Sequence, residues 1–201
     1  MSENFIAPDG KPRCQWCAAT DQYLVYHDTE WGFPVADDQR LFEKLCLESF
    51  QSGLSWRTIL EKRDNFRAAF DYFDFNIMAE YTDHDVERLL QNAGIVRHRG
   101  KITAVINNAR RAQELVAKEG SLAAYFWQFE PDPTTLPAPQ TQSKNEISES
   151  ISKELKKLGW KFVGPTTIYS FMQAMGMIND HAEGCVTRES VDQARNSFKR
   201  P

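Results

Sequence analysis

The 201-residue chain is 41% hydrophobic, with 13 Phe and 5 Trp, and carries a formal net charge of −4. That apolar bulk suits one domain, or two intimate lobes, with a sizeable core, and it argues against disorder. No apolar run approaches the ~20 residues of a transmembrane helix. The opening MSENFIAPDGKPRCQW lacks the basic and long apolar regions of a secretory signal, so a cytoplasmic protein with no membrane association is expected. In that compartment its four cysteines are free thiols or metal ligands rather than disulfides.

An acidic balance argues weakly against nucleic acid, but net charge hides distribution. Arg97, His98, Arg99 and Lys101 cluster, and Arg110 and Arg111 follow. Lys153, Lys156, Lys157 and Lys161 form a second basic group, while acids gather at Asp71 to Asp74 and Glu80 to Glu87. A basic stripe on an acidic protein is compatible with this pattern.

Near the start, Cys14 and His27 form C-x12-H; near the end, His181 and Cys185 form H-x3-C, a spacing that suits one side of a helical turn. Two thiolates and two imidazoles suit a closed tetrahedral zinc site joining the two ends of the chain. The alternative is four unrelated residues, two buried cysteines and two surface histidines. Cys17 makes a CxxC with Cys14, but no thioredoxin-like strand precedes it. Tyr23 and Tyr26, three apart, share a helix face beside His27 and offer rings for stacking with a polar tip.

Asp37 or Asp38 caps a helix expected over Gln39 to Phe50, with the stripe Leu41, Phe42, Leu45 and Cys46. Glu48 falls at the core-side margin of that stripe. A carboxylate there finds donors, shifts its pKa or faces a pocket; otherwise it is a solvated residue near a helix end. Beyond Gly53, Trp56 either lines a cleft or packs in the core. Glu61 to Phe73 reads as a second helix. Thr82 and Asp85 resemble a capping box for a third, carrying Val86, Leu89 and Leu90 and ending at Gly94. The turn from Ile95 to Gly100 opens another helix, with Ile102, Val105, Ile106 and Ala109 inward. A glycine-bearing turn that opens a helix presents unpaired N–H groups to an anion such as a backbone phosphate. The other reading is a plain helical hairpin with solvated charges.

Four prolines mark 129–144 as a surface connection. An amphipathic helix with Ile147, Ile151, Leu155 and Leu158 follows and ends at Gly159. After Gly164-Pro165, Thr166 or Thr167 caps an apolar helix with Ile168, Phe171, Met172 and Met175. The sum is an all-α fold of about eight helices.

These pieces together resemble the bacterial 3-methyladenine DNA glycosylase I family, within the helix-hairpin-helix glycosylases. The matching stretches are Cys14-Gln-Trp16, Tyr23-x-x-Tyr-His-Asp-x-Glu-Trp-Gly32, Leu41-Phe-Glu-x-x-Cys-Leu-Glu48, Gly53-Leu-Ser-Trp56, Ala93-Gly-Ile-Val-Arg-His-Arg-Gly-Lys-Ile102, Lys161-Phe-Val-Gly164 and Tyr169-Ser-Phe-Met-Gln-Ala174. They cover positions 14 to 185 in order, inside a single glycosylase domain over 1–201. The resemblance implies a helix-hairpin-helix fold and one structural zinc on Cys14, His27, His181 and Cys185. It implies a base pocket formed by Tyr23, Tyr26, Glu48 and Trp56, with Glu48 the catalytic-site carboxylate. DNA contacts are expected at Gly53, Leu54, Arg97, Arg99, Gly100 and Lys101. The implied reaction releases free 3-methyladenine from alkylated double-stranded DNA and leaves an abasic site without strand cleavage, by a monomer acting at the nucleoid. Cys17 departs from the family pattern and is a competing thiol. Two other classes stay in view: a helical nucleic-acid-binding module without catalysis, which needs no buried carboxylate, and a redox or regulatory zinc protein built on Cys14 and Cys17.

Overall fold

The computed structural model describes residues 4–201. Among them run eleven α-helices, eight of them seven residues or longer, which bears out the all-α expectation. They are α1 (Asp21–Thr29), α2 (Asp38–Gln51), α3 (Trp56–Glu61), α4 (Arg63–Ala69), α5 (Phe75–Ala79), α6 (Asp83–Gln91), α7 (Arg99–Glu119), α8 (Leu122–Trp127), α9 (Glu146–Lys157), α10 (Pro165–Ala174) and α11 (Val186–Ser197). The sequence showed no strand pattern, yet a small antiparallel hairpin precedes α1: β1 (Asn4–Ile6) pairs with β2 (Pro12–Cys14), Asn4 opposite Cys14. Strands of three residues are too short to carry an alternation of apolar and polar side chains.

The central element is α2, which packs against α3, α7, α8 and α10. Its stripe is where the pattern placed it: Leu41, Phe42, Leu45 and Cys46 are all buried. Asp37 caps it, accepting from the Arg40 N–H at 2.8 Å. Asp38 does a different task. Its carboxylate accepts from the N–H groups of Leu122 and Ala123 at 3.0 and 2.9 Å, pinning the start of α8 to the start of α2. The Thr82–Asp85 capping box is present at the start of α6.

Three local expectations need correction. The stretch Glu61 to Phe73 is not one helix: it breaks at Lys62 and again after Ala69. Asp71, Tyr72 and Phe73 then all take positive φ (47°, 54° and 60°), a conformation no helix-period count reveals. The burial of Phe66, Phe70 and Phe73 explains why the apolar spacing survives the break. At α10 the N-cap is Gly164, with Pro165 at the first helical position, rather than a threonine. Pro there has its φ pre-set and needs no N–H partner. Finally, His181 to Cys185 is a turn, not a helix, with Gly184 at φ 79°; Cys185 is the residue that precedes α11.

The two ends of the chain meet beside α10. The N–H groups of Gly32 and Val35 donate to the carbonyls of Ala174 and Met175. A Cβ on Gly176 would sit 2.5 Å from the Pro34 nitrogen, so only glycine allows this approach.

Candidate active site and metal centre

Helix α1 presents Tyr23 and Tyr26 on one face, the three-residue spacing doing what the sequence reading expected. Opposite them, α2 brings Glu48 and Gln51, and Trp56 opens α3. These residues, with Trp16, Trp31, Ser170 and Gln173, line a cavity of about 230 Å³. The Tyr26 and Trp56 rings lie 5.5 Å apart, and Trp16 meets Tyr23 and Trp31 edge-on at 5.6 and 5.1 Å. Glu48 is 6% exposed, and it is a carboxylate set into an aromatic wall. Burial pushes the Tyr26 hydroxyl well above its ordinary value, and the Glu48 charge adds to that, so the phenol stays protonated. A larger, open cavity of about 630 Å³ lies by α6 and α7. It holds no indole ring and no buried carboxylate. Its Arg110 is engaged by the carbonyls of Ala79 and Tyr81 at 2.8 and 2.9 Å, so the smaller cavity is the better candidate for a planar base.

Lys44, one turn before Glu48, was not singled out in the sequence. Its ammonium lies 2.8 Å from Glu48 Oε1, donates to the Tyr26 hydroxyl at 2.7 Å, and sits 3.3 Å from the Trp56 ring centroid. Burial lowers the Lys44 pKa from its ordinary value, against the pull of Glu48.

On the far side of Trp16 and Trp31 lies the Cys/His cluster. The ligand atoms of Cys14, His27 and Cys185 all fall within 4.8 Å of one another, and all three residues are buried. His27 turns Nε2 to Cys185 Sγ at 3.5 Å and holds Asp28 Oδ1 with Nδ1 at 2.7 Å. A carboxylate behind an imidazole fixes the ring for metal binding. Arg13 in turn fixes Asp28, at 3.0 Å. The fourth expected ligand, His181, is fully buried with its ring centroid 4.8 Å from that of His27. Its Nδ1 faces Asn179 Oδ1 at 3.0 Å, and its buried Nε2 has no hydrogen-bond partner. His181 lies outside the group of three whose ligand atoms are mutually within 4.8 Å; its orphaned, buried Nε2 is what keeps it a candidate fourth ligand. Burial and then the neighbouring His27 lower His181 to about 4, so it is neutral at pH 7, as a ligand must be. A hydrogen bond from Cys14, helped by His27, holds the Cys185 thiol far below its ordinary value, and Cys14 rises in consequence.

Cys17 lies outside this group. Its thiol donates to the Cys14 carbonyl at 3.1 Å, and burial, then Asp28, pushes it up to about 12. The CxxC therefore does not form a two-thiol site.

The basic turn runs between α6 and α7. Arg97 is exposed; the Arg99 guanidinium pairs with Glu87 at 2.6 Å in solvent. His98 accepts from the Lys101 N–H at 3.2 Å. The first two N–H groups of α7, those of Arg99 and Gly100, have no internal acceptor among the described residues. The Lys101 side chain turns inward and donates to the carbonyls of Phe50 and Ser52 at 2.8 and 2.5 Å. It ties the end of α2 to the start of α7. Gly53 (φ 78°) and the exposed Leu54 lie in the loop it braces.

Sequence reasoning gave no pocket role to Trp16, Trp31, Gln51, Ser170, Gln173 or Lys44, although Trp16, Trp31, Ser170 and Gln173 lie within the stretches that match the family. The four-residue step from Lys44 to Glu48 was a readable helix pair. The helical pattern gave Ser170 and Gln173 no direction toward Glu48, since they arrive from a helix more than a hundred residues away in the chain.

A family model described as "Methyladenine glycosylase" matches residues 16–189. DNA-3-methyladenine glycosylase 1 of Escherichia coli (strain K12) is 46% identical over 177 residues, covering 86% of this chain and 95% of the relative. DNA-3-methyladenine glycosylase of Haemophilus influenzae is 41% identical over 182 residues, covering 89% and 98%. A crystal structure of a variant of 3-methyladenine DNA glycosylase I in complex with 3-methyladenine superposes with a TM-score of 0.82 at 33% identity, covering 88% of this chain and 97% of that one.

Proposed function

The chain belongs to the methyladenine glycosylase family, and from that premise we propose that it hydrolyses the N-glycosidic bond of 3-methyladenine in alkylated double-stranded DNA, leaving an abasic site and an uncut strand. The observation that carries the reading is the carboxylate of Glu48 set among the rings of Tyr23, Tyr26 and Trp56 in a base-sized cavity. An N3-methylated adenine is a cation and already a good leaving group, so the protein needs little acid catalysis. It extrudes the nucleotide, at a cost of a few kcal/mol, and receives the base between aromatic faces. Glu48 accepts hydrogen bonds from the base edge. Water then attacks the sugar as positive charge develops there.

The N–H groups of Arg99 and Gly100, with Arg97, hold a backbone phosphate; Gly53 and Leu54 approach the duplex beside the extruded base. Lys101 acts from beneath, by bracing that loop. Cys14, His27, Cys185 and His181 hold one zinc ion, for which two thiolates and two imidazoles are a suitable set. Held there, the ion would be structural: Cys14 and His27 from one end of the chain and Cys185 from the other would be tied together behind Trp16 and Trp31. A single domain does this work in the bacterial cytoplasm, at the nucleoid.

Incubating the protein with methylated duplex DNA and identifying the released bases tests the reading. Free 3-methyladenine should appear without strand breaks. Trp56→Ala should weaken base binding by about 1–3 kcal/mol while zinc content stays unchanged. Release of no base, or breaks without added alkali, would overturn the assignment.

A further inference from the structure

The Glu48 carboxylate does not face its pocket as a lone negative charge. Lys44 Nζ lies 2.8 Å from Oε1, and both side chains are almost wholly buried, at 7% and 5% exposure. The carboxylates of the small cavity around Lys44 have other partners, Arg63 with Glu30 at 2.6 Å and Arg67 with Glu43 at 2.8 Å, while the remaining charge there, Arg40, is exposed. Lys44 therefore has Glu48 as its counter-ion. It also lies over the Trp56 ring, 3.3 Å from the centroid, and donates to Tyr26. Lys44 is not itself a lining residue: Tyr26 and Trp56 wall both the base cavity and the small cavity where Lys44 sits, while Glu48 lines only the former. One ammonium thus acts on three of the four expected base-binding residues from behind.

We propose that Lys44 is a specificity-determining residue of this chain: by pairing with Glu48 and covering Trp56 from behind, it lowers the preference of the pocket for a cationic over a neutral base. This rests on the pocket reading given above. Two physical consequences follow. The attraction of Glu48 for a cation is offset by a positive charge one ion-pair length further away. The Trp56 face also already serves one cation, so its pull on a second is reduced. One carboxylate oxygen is engaged by Lys44; the other is left to accept from a base N–H. The chemical class admitted is an N-alkylated purine with a donor edge, whether cationic or neutral.

The test is a four-protein cycle read by calorimetry: wild type, Lys44→Met, Glu48→Gln and the double variant. Two probes are titrated into each, 3-methyladenine at a pH where it is neutral and the permanently cationic 3,9-dimethyladeninium. The readout is the ratio of cation affinity to neutral affinity, which a merely structural role for Lys44 would not move. Uncovering Glu48 in Lys44→Met should raise the ratio, and leaving Lys44 unpaired in Glu48→Gln should lower it, each on the order of tenfold for charges a few ångströms apart in a partly screened interior. The double variant should return near wild type, and Lys44→Arg should keep the wild-type ratio. Should Lys44→Met fail to fold with an unpaired carboxylate, the step from Glu48→Gln to the double variant isolates the same charge. An equal ratio across that step, or in Lys44→Met and wild type, would overturn the inference alone. A wild type that binds neither probe would overturn the pocket reading and this inference with it.

Discussion

Gly32 shows how one missing side chain shapes the candidate metal centre. Its φ is 86°, and a Cβ there would lie 2.8 Å from His181 Cε1. Gly120, at φ 90°, has nothing within 4 Å of the same position. Alanine at either site incurs the backbone strain, on the order of 1 kcal/mol. Only at Gly32 does it also displace the His181 imidazole, the proposed fourth ligand. Gly32→Ala should therefore lower both melting temperature and zinc content, while Gly120→Ala lowers the melting temperature alone; thermal melts with metal analysis separate the two. A second residue sets an acid limit. Burial pushes the Glu30 carboxyl up, but the two hydrogen bonds from Arg63 (2.6 and 2.9 Å) outweigh it and hold it below its usual value. With the folded pKa below the unfolded one, the unfolded chain binds more protons between them, so stability rises with pH in that window. The advantage of wild type over Glu30→Gln should be complete above the ordinary glutamate range and disappear as pH falls through the lowered value. Denaturant melts across acidic pH check this.

At the scale of elements, the junction of α2 and α7 joins the helix that carries Glu48 to the turn proposed to meet the duplex. Lys101 bonds carbonyls at the end of α2 that no intrahelical donor can reach, an arrangement that substitutes for a C-cap. The exposed Arg97 and the salt-bridged Arg99 stand beside it on the turn. Removing both arginines should weaken DNA binding with little sequence dependence and flatten the salt slope by about one unit per lost phosphate contact. Lys101→Met should behave differently: a loss of stability of about 1–3 kcal/mol from the freed carbonyls, with the salt slope kept. Filter or anisotropy titrations over a range of salt, alongside denaturant melts, distinguish the two. An Arg97→Ala/Arg99→Ala protein with unchanged salt dependence would move the duplex elsewhere, to the Lys156, Lys157 and Lys161 side.

On the scale of the whole molecule, the Cys/His cluster closes the chain on itself. Cys14 comes from β2, His27 from α1, and Cys185 from the turn before α11. Metal bound there favours the folded state by its own binding energy. Chelation should lower the melting temperature and disturb the indole fluorescence of Trp16 and Trp31, whose rings lie 5.3 Å from His27 and 4.6 Å from His181. Cys14→Ala should lose the ion. Cys17→Ala should keep it, since that thiol donates to a carbonyl and is outside the ligand group. The reverse pattern would reassign the site.

Much of this was present in residue order alone. Helical spacing placed Glu48 on the core side of α2 and Tyr23 with Tyr26 on one face of α1, because a 3.6-residue period turns sequence distance into direction. The ligand types at both ends marked a candidate metal centre for a different reason: their chemistry is a property of the residue and needs no period. Tertiary structure alone decided which groups meet. It broke the Glu61 to Phe73 stretch, made H-x3-C a turn, turned Lys101 from the expected phosphate toward two carbonyls, and brought Ser170 and Gln173 to the base cavity. Those outcomes depend on positive-φ turns and on packing between distant segments, which leave no periodic trace. The charge of the pocket belongs to both levels. The step from Lys44 to Glu48 is readable along one helix, but only the fold buries the pair against Trp56 and gives it a bearing on which base is bound.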